Sequence, residues 1–386
     1  MFIYLEGYTL KILLAPDSFK GSLTAVEAAQ AMAEGIRDVD PTIETVMFPA
    51  ADGGEGTMSS LVSATDGRIV SVVVQDPLGR QVKASYGVLG DGETCIIEIA
   101  EASGLMLLTE EERNPLITST FGTGQLIVHA LDAGLRKFII GLGGSATNDG
   151  GAGLLQALGM KLMDANGAEL PQGGGLLGGL HAVDPTNFDE RISESYFLIA
   201  CDVENPLVGP KGASTIFGPQ KGASHEMVVV LDTNLAKFAS VIEELTGTSL
   251  HEKKGAGAAG GAGGAFQAFF PGEMKRGIEV VLEEISFAEH IADANLILTG
   301  EGKTDSQTLS GKTPFGVAEA ANREDKPIIL ISGAIDEESR ELLARLFTEI
   351  HAVADGTISS KESIDHAGYY LRLKTKEVME NYLANN

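Results

Sequence analysis

The stretch Gly141-Leu142-Gly143-Gly144-Ser145-Ala146-Thr147-Asn148-Asp149-Gly150-Gly151-Ala152-Gly153 constrains this chain more than any other. It follows Lys137-Phe138-Ile139-Ile140, an apolar run that reads as a short buried strand. A strand emptying into glycines offers backbone N–H groups to a ligand, because no Cβ blocks close approach. Ser145, Thr147, Asn148 and Asp149 add hydroxyls, an amide and a carboxylate within a few residues. Such a loop suits phosphate and hydroxyl groups, with the carboxylate free to hold a metal or take a proton. The pattern repeats. Lys11–Pro16 runs into Asp17-Ser18-Phe19-Lys20-Gly21, and Val46–Ala50 into Ala51-Asp52-Gly53-Gly54-Glu55-Gly56. Tyr196–Cys201 ends at Asp202, and Asn295–Thr299 runs into Gly300-Glu301-Gly302-Lys303-Thr304-Asp305. Strands that repeatedly deliver charged glycine loops, several followed by helical patterns, predict α/β sheets with ligands at the carboxyl ends of the strands.

At 386 residues the chain is long for a single core and predicts two domains. The opening, strand, helix from Leu23 to Arg37, strand, helix from Gly56 to about Ala64, reads as a parallel α/β unit. From Asp76 the strands shorten, residues 165–192 read as loop, and α/β texture returns near Leu282. The expected fold is therefore two α/β domains. A doubly wound parallel sheet of flavodoxin or Rossmann type, from residues 1–75 plus 289–386, receives an inserted α/β domain at 76–288.

The formal net charge of −26, from 54 acidic against 28 basic residues, disfavours nucleic acid and anionic membranes as partners. In so acidic a chain, Lys20, Lys211, Lys221, Lys303 and Lys312 all fall inside glycine-rich motifs, which suits anionic ligands. Cys95 and Cys201 lie in apolar runs and read as buried thiols without metal-ligand spacing. Met1–Glu6 lacks the basic and apolar regions of a signal peptide, so a cytoplasmic location is expected. Gly255-Ala256-Gly257-Ala258-Ala259-Gly260 matches a dinucleotide fingerprint in letters, but no apolar strand precedes it. Gly311-Lys312-Thr313 lacks the first glycine of a P-loop, since residue 306 is Ser306; Gln307, Thr308 and Leu309 read as helix or turn.

The strings APDSFKGSL (15–23), PAADGGEGT (49–57), QDPLGR (75–80), TSTFGTGQLI (118–127), GLGGSATNDGGAG (141–153), ACDVENPL (200–207), FGPQKGA (217–223), GAGAAGGAGG (255–264) and LTGEGKTDSQTLSGKTP (298–314) resemble the type I glycerate kinases. The resemblance runs from about residue 11 to near the C-terminus. It implies ATP-dependent, Mg²⁺-assisted phosphorylation of D-glycerate in a cleft between two α/β domains, leaning toward 2-phosphoglycerate as product. The partners would be ATP and D-glycerate, and a homo-oligomer stays open. Phosphoryl transfer needs cations on the phosphates, positioning, and an acceptor for the alcohol proton. On this reading Asp202, Asp149 and Lys20 carry the chemistry, and Asp17, Ser18, Lys20, Asp52, Glu55 and Arg80 hold the hydroxy acid. Gly143, Gly144, Ser145, Thr147, Lys221, Gly300, Lys303 and Lys312 take nucleotide phosphates, and Asp202 and Glu301 take the metal. Two other readings remain open here: an NAD-dependent hydroxy-acid oxidoreductase and a non-catalytic sugar-acid binding protein.

Overall fold

A computed structural model describes residues 10–306, 308, 311–354, 356 and 358–385. The readings of Met1–Glu6, Gln307 and Leu309 lie outside these residues. The chain divides into two units, one comprising the described residues up to Asp52, Ser59–Thr65 and those from Ile278 on. The other comprises Gly53–Met58 and Asp66–Gly277.

The first unit is built on a parallel sheet ordered Glu44–Met47, Lys11–Leu14, Leu296–Thr299, Ile328–Ser332, Glu349–Ala352. Its inner strands are unbroken apolar runs rather than alternating ones, as a sheet covered on both faces requires. Ile12, Leu14, Leu296, Leu298, Ile329 and Ile331 pack on the helices Ala25–Arg37 and Ala367–Asn385. Thr24 starts the first of these helices through a capping box with Glu27. At Gly35 a Cβ would sit 2.5 Å from the Arg372 carbonyl, so glycine there allows the two helices to meet. The intervening side chains Leu13, Ile297 and Leu330 belong to the opposite face, where helix Thr313–Arg323 buries Val317, Ala318 and Ala321. Strand order reverses direction between Lys11–Leu14 and Leu296–Thr299, which is the doubly wound arrangement with its switch point there.

The second unit carries a six-stranded mixed sheet ordered Gly272–Lys275, Tyr196–Ala200, Lys137–Gly141, Thr94–Glu98, Gln81–Val88, Arg68–Gln75. The first four run parallel and the last two join as antiparallel neighbours. Phe138 and Phe197 stack at 4.6 Å between adjacent strands, inside a core that also takes Leu126, Leu154, Phe238 and Phe266 from the covering helices. Strand Arg68–Gln75, which the sequence reading groups with the opening segment, pairs along its whole length with Gln81–Val88 and so belongs to this sheet. Within 165–192, read as loop, Ala182–Asp184 forms a short antiparallel pair with Lys161–Met163.

Candidate functional site

In the first unit the carboxyl ends of the parallel strands open onto one cavity of about 490 Å³. Asp17 and Ser18 leave the Lys11–Leu14 strand, and Glu301 and Lys303 leave Leu296–Thr299. Asp52 follows the Glu44–Met47 strand, and Lys312 stands at the cap position of helix Thr313–Arg323. These six residues and Lys20 line the cavity together. Gly300 lies behind them: its carbonyl accepts from Asp17 N at 2.8 Å, and a Cβ there would fall 2.0 Å from the Ile331 carbonyl. It serves close approach of neighbouring strands.

Two of the cavity's acids, Asp17 and Glu301, have their pKa raised toward neutrality. Burial first, then the Asp52 charge, raises the Asp17 carboxyl to about 6; the Thr313 hydroxyl, the Ser18 N–H at 2.6 Å and Lys20 pull it back. Burial likewise raises Glu301 to about 7, against hydroxyls of Thr308 at 2.6 Å and Thr304 at 2.9 Å and the Lys312 charge. Both hydroxyls donate to Glu301 Oε1, and Thr304 in turn meets the Ser332 hydroxyl at 2.7 Å. A carboxyl kept half-protonated beside lysines responds strongly to any charge that enters the cavity.

In the second unit the Gly141–Gly153 loop is braced from within. Asp149 is fully buried and accepts from Thr120 N and Oγ1, each at 2.8 Å, Gly151 N at 3.1 Å and Gly153 N at 3.2 Å. Burial still outweighs these bonds and raises its pKa. Lys221 is also buried, donating to Ser145 Oγ at 2.8 Å and the Thr147 carbonyl at 2.7 Å. Burial pushes its pKa down to about 7, with Asp149 opposing. Lys221 thus reaches Ser145 and Thr147 from inside the fold. Gly144 has φ +75°, and a Cβ on Gly143 would lie 2.7 Å from Gly54 Cα. Thr147 Oγ1 and Asn148 Oδ1 are buried without a hydrogen-bond partner among the described residues. The Gly255–Gly264 run backs this loop. Gly260 accepts from Gly150 N at 2.9 Å, and a Cβ on it would fall 1.9 Å from the Thr147 carbonyl. Its glycines therefore serve backbone packing, and a turn rather than a strand precedes them.

The other expected site residues of this unit stand on separate loops. Asp202, just past strand Tyr196–Ala200, is exposed and accepts from Gly277 N at 2.8 Å, the first residue of helix Gly277–Glu284. Glu55 is exposed on the loop before helix Thr57–Ala64. Arg80 closes the Asp76–Arg80 turn, paired with Asp76 and Glu112 at 2.6 Å each. Sequence reasoning missed Glu98, at the end of strand Thr94–Glu98, which is buried and accepts from Met58 N at 2.7 Å. Burial raises it to about 7 while the Met58 and Gly56 N–H groups oppose. Its signal was an acid ending an otherwise apolar strand beside the glycine loops. Among the described residues no group of three or more His, Cys, Asp or Glu forms a ready metal cage. Nor is any helix among them long and apolar enough to cross a membrane.

Comparison with known proteins gives a consistent result. The glycerate kinase family profile matches residues 12–383. The chain is 48% identical to a glycerate kinase of Bacillus subtilis (strain 168), covering 96% of this chain and 97% of that protein. It is 50% identical to a glycerate 2-kinase of Escherichia coli (strain K12), covering 85% of this chain and 86% of that one. The crystal structure of a candidate glycerate kinase 2 from Salmonella typhimurium LT2 superposes with a TM-score of 0.89 at 44% identity, covering 98% and 99% of the two chains.

Proposed function

Because the chain belongs to the glycerate kinase family, we propose that it transfers the terminal phosphoryl group of ATP to the 2-hydroxyl of D-glycerate. The observation that carries this reading is the strand-end cavity, where Lys20, Lys303 and Lys312 stand among Asp17, Asp52 and Glu301 at a sheet switch point. In a protein of net charge −26, such a cluster of cations is what an anionic acid and a polyphosphate require. The choice of the 2-hydroxyl follows the Escherichia coli relative, which is named a glycerate 2-kinase.

The chain's own groups divide the work. Lys303 and Lys312 neutralise phosphate charge, which is most of what phosphoryl transfer asks of a protein. Lys20, with the Ser18 hydroxyl, grips the glycerate carboxylate, and Asp17 and Asp52 accept hydrogen bonds from its hydroxyls. Asp149, saturated by four donors, keeps the Gly141–Gly153 loop in shape, with Lys221 as its brace. Asp202 is exposed and offers a carboxylate to take the alcohol proton. The donor set also suits Mg²⁺, which binds through one or two carboxylates plus phosphate and water rather than a full protein cage. Asp202 and Glu301 are the candidate ligands, and a carboxyl raised to about 7 as Glu301 is would return to its charged form beside a cation. When bound, the ion would neutralise charge on the phosphate oxygens.

Purified protein should release ADP only when ATP, Mg²⁺ and D-glycerate are all present. The proton-coupled phosphorus spectrum of the product should be a doublet, since the 2-carbon bears a single hydrogen. A triplet would assign the 3-phosphate instead, and ADP release indifferent to glycerate would overturn the kinase reading.

A further inference from the structure

The cavity of the first unit is larger and less uniform than a three-carbon acid needs. At about 490 Å³ it lies in the range, roughly 300–1,000 Å³, that takes up drug-sized ligands. Its lining changes character in the order of the strands. Asp52, Asp17 and Glu301 stand at the exits of the first three strands, together with the lysines. At the exits of Ile328–Ser332 and Glu349–Ala352 the lining is Gly333, Ala334, Val353 and Ala354, with no charge.

These exits form one continuous backbone surface. Gly333 N donates to the Glu301 carbonyl at 2.9 Å, Ala334 N to Gly302 at 3.1 Å, and Ala354 N to Gly333 at 2.9 Å. Ala334 is the parallel partner of Lys303, so the charged and apolar ends adjoin. A Cβ on Gly333 would fall 2.4 Å from the Gly302 carbonyl, so this floor stays free of side chains there. The helices Ser360–Asp365 and Ala367–Asn385 add Ile364 and Ala367 to the apolar end. Ile364 is 53% exposed although it lines the cavity, an apolar side chain facing space that an apolar ligand surface would cover.

Resting on the kinase reading above, we propose that Ala334, Val353, Ala354, Ile364 and Ala367 form the seat for the purine base of the nucleotide, with its phosphates extending toward Lys303 and Lys312. A flat heteroaromatic ring matches such a wall, because it covers apolar surface while its edge can meet backbone groups at the strand exits. Glycerate, small and charged, has nothing to gain there and is left to the end carrying Asp17 and Lys20.

The chain contains no tryptophan, so Ile364→Trp would place a single indole at the seat. ADP should quench its emission saturably, whereas inorganic tripolyphosphate and D-glycerate should not. Ala354→Glu should raise KM for ATP roughly tenfold or more, the effect of setting an unpaired charge against the base. KM for D-glycerate should stay within about twofold, since on this assignment the acid binds at the other end. In the unmodified protein, an azidoadenine nucleotide should label the tryptic peptides 324–340, 346–361 or 362–372 on illumination. The label reads the seat whether or not either variant folds, and also if D-glycerate proves not to be the acceptor. The proposal is overturned if tripolyphosphate quenches as well as ADP, if ADP leaves the emission unchanged in a variant that still turns over ATP, or if the label falls only in other peptides.

Discussion

Asp202 is the residue on which the chemistry can be tested most cleanly. Its carboxylate is exposed and one oxygen accepts the Gly277 N–H. Asparagine would keep an oxygen for that bond but lose the charge and the basicity. Asp202→Asn should therefore fold normally and lose about a hundredfold or more in kcat, the scale of a missing general base. A kcat within threefold of the parent would remove Asp202 from the reaction. Lys221 allows a test of the opposite kind, through stability. Its folded-state pKa is depressed to about 7 from an ordinary 10.5, so between these values the unfolded chain binds more protons. Its contribution to stability is present above about 10.5 and is lost as pH falls through 7. Replacing it by methionine leaves the Thr147 carbonyl without its donor, a loss of about 1–3 kcal/mol for a buried acceptor. Urea midpoints of Lys221→Met should be lower throughout, and the gap from the parent should widen from pH 7 to pH 10. A gap that stays constant with pH would mean that the lysine is charged in the fold.

At the scale of elements, Glu98 on a neighbouring strand caps the start of the short helix Thr57–Ala64 by accepting from Met58 N. The tie lies in a loop crowded by glycines: a Cβ on Gly141 would stand 2.6 Å from the Gly53 carbonyl. Glu98 has its folded-state pKa raised to about 7 from an ordinary 4.5, so the fold holds its proton more tightly than the unfolded chain does. The associated stability is present below about 4.5 and lost as pH rises through 7. Glu98→Gln keeps an acceptor for Met58 N without the titration. Its urea midpoint relative to the parent should be higher at pH 8 than at pH 5, and an unchanged difference would show Glu98 to be ordinary in pKa.

For the molecule as a whole, the order of the chain makes the two units unequal in autonomy. The main hydrophobic cluster of the second unit runs from Val74 to Phe270, and the six strands of its main sheet lie between Arg68 and Lys275. The first unit draws three of its five strands from beyond residue 295. A fragment of residues 66–277 should therefore unfold cooperatively in urea when followed by circular dichroism. A fragment ending at residue 65 should show no transition, because two strands and two helices without the rest of the sheet cannot bury their apolar faces. Cooperative folding of the shorter fragment, or none in the longer, would contradict this division.

Much of the protein was legible in its sequence because the relevant signals are local. Apolar runs such as Leu296–Thr299 and Ile328–Ser332 are long enough and pure enough to read as buried parallel strands, and the glycine loops behind them mark the ligand-bearing edge. The motifs themselves, spread from Ala15 to Pro314, identified the family. What the sequence could not give was the state of each polar side chain, since burial and hydrogen bonding depend on residues far along the chain. Asp149 and Lys221 read as site groups from their motifs, yet folding encloses both and commits them to Thr120, Ser145 and Thr147. Glu98 became conspicuous only once residues 40 positions away were brought to it. Strand order, likewise, is a non-local choice: only the assembled sheet sets Val353 and Ala354 on the same cavity as Asp17, more than 300 residues earlier in the chain.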